Sequence, residues 1–237
     1  MLRRLFLSTS VTTLCLIFCA LAAKAQTPPA ADLKKFELAA DFSSFTLSSG
    51  QTEPGLGGRF TYNLNKHVAL EAAGYFFPRT CKFCGSSETG RITEALFGVK
   101  AGKRFQKWGI FGKARPGLVS FSQGAFNITP APLATGGGPG QLQCFGPNPS
   151  TPSPCFTFRQ SRLTHLAVDV GGVLEFYPSR RIVVRFDGGD TIIRYNQRTF
   201  DFLVFPMGST TPVLTPITQP AYTTHNFQFT AGVGFRF

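Results

Sequence analysis

The sequence predicts an all-β fold: an eight-stranded antiparallel up-and-down transmembrane β-barrel, with tight turns at one end and long loops at the other. Three observations predict it. First, the last twelve residues alternate without a break. Phe227, Phe229, Ala231, Val233, Phe235 and Phe237 fall on one face, and Asn226, Gln228, Thr230, Gly232, Gly234 and Arg236 fall on the other. Period two is the signature of a strand with one apolar and one polar side. Second, seven earlier segments repeat the pattern. Third, the connections between the eight alternate long and short, as in a chain that crosses a bilayer and returns.

The N-terminus reads as a secretory signal. Arg3 and Arg4 form a positive start, Leu5 to Ala23 is mostly apolar, and Ala23-Lys24-Ala25 fits small-x-small cleavage, leaving Gln26 as the mature start. Three segments follow: a signal peptide at 1–25, a short Pro/Ala periplasmic linker at 26–34 and the barrel at 35–237. Cleavage removes three positive charges from the +12 of the whole chain, leaving +9. No block of consecutive like charges accompanies that balance. An exported protein rarely meets nucleic acid, so an anionic envelope surface is the expected partner. No later stretch is apolar over the roughly 18 positions of a membrane-crossing helix, so membrane residence must come from strands.

Strand one is expected at Lys35 to Thr46, with Phe36, Leu38, Ala40 and Phe42 on its apolar face. A loop at Ser49 to Gly57 leads to strand two, GRFTYNL, and a tight turn at Asn65-Lys66 leads to strand three, His67 to Phe77. A polar loop, Pro78 to Gly90, precedes strand four, Arg91 to Phe105. After the turn at Gln106-Lys107, strand five covers Gly109 to Phe121, with a bulge or irregularity expected at Pro116 because proline removes a ladder donor. The longest loop, Gln123 to Ser161, has turn composition and no period. Strand six runs from Leu163 to Tyr177 and strand seven from Arg181 to Tyr195 across the turn Pro178-Ser179-Arg180. A last long loop, Asn196 to Thr224, reaches the closing strand.

The chemistry of the two faces decides the solvent. The apolar faces are nearly free of ionisable groups, Asp190 being the main exception. An Arg or Lys facing lipid at mid-membrane costs roughly 2–4 kcal/mol, so such depletion is expected there. The opposite faces collect the acids Glu37, Asp41, Glu71, Glu94, Asp169, Glu175 and Asp187. Against them stand the bases Arg59, Lys100, Arg104, Lys113, Arg115, Arg185 and Arg236. In a lumen just wide enough for side chains these charges form a paired network, because an isolated buried charge is costly. Glycines at 98, 102, 171, 189, 232 and 234 leave room for them. Aromatics near strand ends read as interfacial girdles: Tyr62, Phe105, Trp108, Tyr177 and Phe237 at the turn end, Tyr75, Phe77, Phe121 and Tyr195 at the loop end.

GLGGRFTYNLNKHVALEA at 55–72, KARPGLVSF at 113–121 and the terminal GVGFRF resemble the small bacterial outer-membrane β-barrel family, of the OmpA-like transmembrane-domain type. The resemblance spans Lys35 to Phe237. It implies a place in the bacterial outer membrane among outer-membrane lipids. It also implies assembly by the barrel-assembly machinery through the C-terminal strand, with terminal Phe237 as the signal. The chain stops without the peptidoglycan-binding domain that many OmpA-like proteins carry, so wall anchoring by that route is not expected.

Four cysteines follow the signal: Cys81, Cys84, Cys144 and Cys155, all in expected external loops. Export favours disulfides, and the two local pairings, Cys81–Cys84 and Cys144–Cys155, would each pin one loop. A zinc site built on Cys81-x2-Cys84 is the alternative, without a histidine to accompany it. Neither Gly136-Gly137-Gly138-Pro139-Gly140 nor Gly55-Leu56-Gly57-Gly58 has the Lys-Ser/Thr of a phosphate cradle. His165 and His225 fall at heights from which they could approach each other at the outer rim, and His165 shares a face with Asp169.

The function expected is structural or surface-interacting: a monomer, without catalytic residues, cofactor or metal, its external loops the binding surface. A narrow pore is the alternative, and a lipid-modifying enzyme using His165, Asp169 and His225 a more distant one.

Overall fold

The computed structural model describes residues 34–81, 89–131, 141–144, 155–209 and 211–237. The signal peptide, most of the linker, Cys84 and the glycine cluster at 136–140 lie outside the described residues.

Among the described residues eleven strands follow one another: β1 Phe36–Thr46, β2 Thr52–Asn63, β3 Val68–Cys81, β4 Gly90–Arg104, β5 Trp108–Ala131, β6 Gln141–Cys144, β7 Cys155–Phe176, β8 Ile182–Tyr195, β9 Arg198–Val204, β10 Val213–Gln219 and β11 Tyr222–Arg236. Eight of them form a ring in the order β5-β4-β3-β2-β1-β11-β8-β7, closed by a β5–β7 pairing, all antiparallel. Closure leaves no unpaired edge, which is what a strand-built membrane span requires. The last strand seals the ring against the first, with Leu38 opposite Phe235 and Phe42 opposite Ala231. Beyond Arg236, the Phe237 N–H donates to Phe36 O at 3.0 Å, and Phe36 N–H donates to Phe237 O at 3.2 Å.

The tight turns are fixed by short polar side chains. Asn65 Oδ1 accepts from the His67 and Val68 N–H groups at 2.7 and 2.8 Å, and Ser179 Oγ accepts from Ile182 N–H at 3.1 Å. Such side chains substitute for a backbone acceptor where the chain reverses. At the Gln106-Lys107 turn Phe105 N–H donates to Trp108 O at 2.7 Å.

Several strands outrun the sequence expectation at the loop end. β2 begins at Thr52, so the expected loop through Gly57 is strand; Pro54 and Gly55 sit in register with Ser44 and Ser43. β5 and β7 continue into the stretch read as aperiodic loop, pairing as far as Ala131 with Cys155, and β6 adds to β7 there. The last long loop carries its own hairpin, β9 with β10. Pro116 causes no register shift. It pairs in step with Val168, but the β4–β5 ladder lapses at Pro116 and Arg115, between Leu96–Gly117 and Val99–Ala114, so the expected irregularity is there as a gap without a bulge. The shift in β5 comes later, between Phe121 and Ala125.

Burial inverts that of a water-soluble domain. Leu38, Leu56, Phe97, Leu166, Phe227 and Val233 are each more than half exposed on the outside. Glu71, Lys100, Arg115, Asp169, Glu175 and Arg185 are fully buried inside. Along β4 the alternation is strict from Gly90 to Ala101, odd residues out and even residues in.

At the turn end Tyr62, Phe105, Trp108 and Phe237 lie on the outer wall, Phe105 stacking on Trp108 at 4.1 Å and Phe237 on Phe36 at 5.8 Å. Tyr177 does not join them: it is buried among the lumen charges. The expected girdle at the loop end is overturned. Tyr75, Phe77, Phe121 and Tyr195 are all buried in the lumen, on the parity of Glu71, Arg115 and Arg185.

Candidate functional site

The lumen is stacked in layers along the barrel axis. At the turn end, Asn63 Nδ2 donates to Glu37 at 3.0 Å, and Arg104 donates to Asn63 Oδ1 at 3.1 Å and to the Tyr177 hydroxyl at 2.9 Å. Arg104 also lies 3.6 Å from Glu37 and 3.7 Å from Glu175. Arg236 faces inward but makes no ion pair among the described residues. Its guanidinium covers the Tyr177 ring at 4.4 Å and donates to Ser179 O at 3.2 Å, so cation–π contact replaces a carboxylate.

The middle layer is a web of shared ion pairs with one separate pair, Arg59 and Asp41, beside it. Arg185 forks both ways, to the two Glu71 oxygens and to the two Asp187 oxygens. Lys100 bonds Glu175 and lies 3.4 Å from Glu71. Arg115 donates to Asp169 through Nε at 2.8 Å and Nη2 at 2.5 Å, with Lys113 2.9 Å from the same carboxylate. Arg59 reaches Asp41 at 3.1 Å, and the Tyr75 hydroxyl shares that oxygen at 3.4 Å. Fork-shaped guanidinium–carboxylate contacts are the strong kind, and completeness of pairing is what makes buried charge tolerable.

Above it the lumen acids are held by amides and hydroxyls instead of by bases. Gln228 donates to Glu94 at 2.8 Å and to Ser43 at 3.0 Å, and accepts from Thr191 at 2.9 Å. Glu53, buried at the loop end, accepts from Gln51 at 2.7 Å. Sequence reasoning missed Glu53 because Pro54 and Gly55 disguise its strand as loop.

The external mouth is closed by hydrocarbon. Phe45, Leu47, Phe77, Ile92, Phe121 and Ile193 form a contiguous core with Tyr195, each at most 2% exposed. Phe45 and Phe77 rings lie 5.4 Å apart, and Tyr195 stacks parallel to Tyr222 at 4.5 Å. His165 belongs to this plug, 4.2 Å from the Tyr195 ring and buried.

The two rim histidines are therefore not neighbours. His225 lies on the outer wall, its Nδ1 2.6 Å from Asp190 Oδ2, while His165 is inside. The pairing also explains Asp190, the one acid on an otherwise apolar face: it holds His225 and accepts the Asn226 N–H at 3.0 Å. Asp169 is engaged by Arg115 and Lys113, and no bond joins it to His165 among the described residues.

Among the glycines, Gly232 makes room for a charge, since a Cβ there would overlap Asp41 Oδ1. Gly171 and Gly189 instead make room for backbone: a Cβ on either would meet the other's main chain. Cys144 sits directly across the ladder from Cys155, and Cys155 is disulfide-bonded. Cys81 ends β3 opposite Gly90.

No protein-family model matches the chain, and no curated protein does. Among solved structures it is similar to the N-terminal β-barrel domain of Pseudomonas aeruginosa OprF, at 10% identity and TM-score 0.40, covering 85% of this chain and 97% of that one. It is similar also to Neisserial surface protein A, at 12% identity and TM-score 0.41, covering 85% and 96%. A third is Ail, the attachment invasion locus protein of Yersinia pestis, at 9% identity and TM-score 0.41, again covering 85% and 96%.

Proposed function

We propose that this chain is an exported outer-membrane protein whose barrel is a non-conducting anchor and whose external strands and loops are its working surface. The observation that carries this reading is the inverted polarity. Large apolar side chains are exposed around the outside while paired charges are buried within, an arrangement stable when lipid and not water surrounds the wall. Phe237, stacked on Phe36 beside the closing β1–β11 seam, is the feature we assign to recognition by the barrel-assembly machinery.

A narrow pore is the weaker reading. A solute would have to displace both the plug of Phe45, Phe77, Phe121 and Tyr195 and the ion-pair web beneath it, each group fully or nearly fully buried. An enzyme using His165 is weaker still, for His165 lies in hydrocarbon and His225 lies across the wall. Proteins of this size offer function where loops rise from a rigid scaffold. Here β5 and β7 climb past the bulge together, and the β9–β10 hairpin exposes Phe202, Phe205 and Met207. We assign the Cys155 disulfide to Cys144, its ladder partner, as the staple of that raised tier.

Planar-bilayer recording on folded protein, paired with protease treatment of intact cells, tests the reading. It predicts no discrete conductance steps and cleavage within 196–224. Steady open-channel current would establish the pore instead, and full protection of the hairpin would remove the surface role.

A further inference from the structure

We propose that a cleft on the outer wall of β4, β5 and β7 binds the phosphate group of an outer-leaflet lipid. The proposal rests on the membrane reading above. The cleft, of ≈230 Å³, is lined by Phe76, Arg91, Thr93, Ser120, Ser122 and Arg162.

Register brings these residues together. Thr93 lies opposite Phe76 on one side and Ser120 on the other, and Ser120 lies opposite Thr164. Just beyond the last in-step pairs, Ile92–Phe121 and Phe121–Leu163, where β5 bulges, Arg91, Ser122 and Arg162 line the outer end of the cleft, two guanidinium groups with a hydroxyl from the strand between them. Two strand spacings separate the arginine backbones by about 9.5 Å, a gap that two long side chains close on one tetrahedral anion.

The cleft offers donors. Ser122 Oγ already accepts from the Arg91 N–H at 2.8 Å, and Ser120 Oγ accepts from Thr164 Oγ1 at 3.1 Å, so both hydroxyl hydrogens are left to donate. Gly90, at φ +96°, keeps Ser122 in place, since a Cβ there would run into Ser122 Oγ. Among the described residues no acid lines the cleft, and neither Arg91 nor Arg162 has an ion-pair partner. Both are exposed.

Depth selects the ligand. The outward residues next below the cleft on β5 and β7 are Leu118 and Leu166, directly opposite each other and 46% and 65% exposed. Phe76, itself 45% exposed, lines the cleft on the side of that apolar band. The two arginines thus sit where hydrocarbon gives way to headgroups, with an aromatic ring beside the first acyl carbons.

The test uses folded full-length mature protein in neutral detergent micelles, titrated with bisphosphorylated lipid A, with its dephosphorylated form, and with inorganic phosphate alone. Bound lipid is read by native mass spectrometry, and the gel-mobility shift on boiling reports folding. The proposal predicts at least tenfold tighter binding of the phosphorylated lipid. It predicts that Arg91→Gln with Arg162→Gln removes that preference, that Arg91→Lys with Arg162→Lys retains part of it, and that Lys103→Gln, exposed at the turn end of β4 and far from the cleft, leaves it intact. Equal binding of both lipids, or an unchanged preference in the double glutamine variant, overturns the site while a preserved mobility shift leaves the membrane reading standing. Inorganic phosphate binding as tightly as the lipid overturns the lipid assignment. Loss of the mobility shift in the parent protein overturns the membrane reading and the site together.

Discussion

Replacing Arg185 by Met is the sharpest test of the lumen as a paired system. Arg185 donates four charge-assisted hydrogen bonds, two to Glu71 and two to Asp187, and is 1% exposed. Methionine fills much of the space and supplies none of the bonds. Removing one partner of a buried pair typically costs about 3–5 kcal/mol. Two features place the cost near the lower bound. Glu71 keeps Lys100 at 3.4 Å and Arg115 at 3.7 Å, and Asp187 keeps Lys113 at 3.6 Å. The expected loss is about 3 kcal/mol, roughly 150-fold in the folding equilibrium. Urea titration of the barrel in lipid vesicles, read by mobility of unboiled samples, measures it. Adding Glu71→Gln should recover more than about 1 kcal/mol relative to the sum of the single changes, since one stranded charge disappears. A loss below about 1 kcal/mol for Arg185→Met, or strict additivity in the double variant, would refute the reasoning.

Three further outcomes follow from the same geometry. Gly232→Ala should destabilise by about 1–3 kcal/mol by driving Asp41 off Arg59, whereas Gly172→Ala, with open space around it, should stay within about 0.5 kcal/mol by the same titration. Cys144→Ser should free the Cys155 thiol for maleimide labelling in unfolded, unreduced protein; continued protection of Cys155 would mean another partner. Phe121→Ala should cost about 3–5 kcal/mol as a core truncation and still yield no conductance, because the Arg115–Asp169 layer below remains.

Period two carried the fold. Each barrel strand could be read because lipid outside and charge inside impose opposite chemistry on successive residues, as in Phe36-Glu37-Leu38 or Val99-Lys100-Ala101. The ends of strands were harder. Pro54 and Gly55 look like loop, yet the β1 ladder holds them extended. The segment read as aperiodic after Gln123 is strand because β5 and β7 pair there, a tertiary fact invisible to a local window. The loop-end girdle failed for a different reason. Tyr75 and Phe77 share parity with Glu71, Phe121 with Arg115, and Tyr195 with Arg185, so alternation already directed them inward. Aromatic character near a strand end suggested an interface where parity specified a plug. His165 and His225 were likewise grouped by height along the barrel, while the wall between them depends on face. The cleft of Arg91, Ser122 and Arg162 needed three strands to come together, which no single segment contains.

The central claim is that outward positions of the barrel strands meet lipid and inward positions a closed interior, and tryptophan quenching tests it most directly. In a Trp108→Phe background, tryptophan is placed either at Phe97, 60% exposed on the outer wall, or at Phe111, 5% exposed in the lumen. The folded protein is then reconstituted into vesicles of acyl-brominated lipid. The account predicts strong quenching of tryptophan at 97 and little at 111; equal quenching of both, or none at 97, would contradict it.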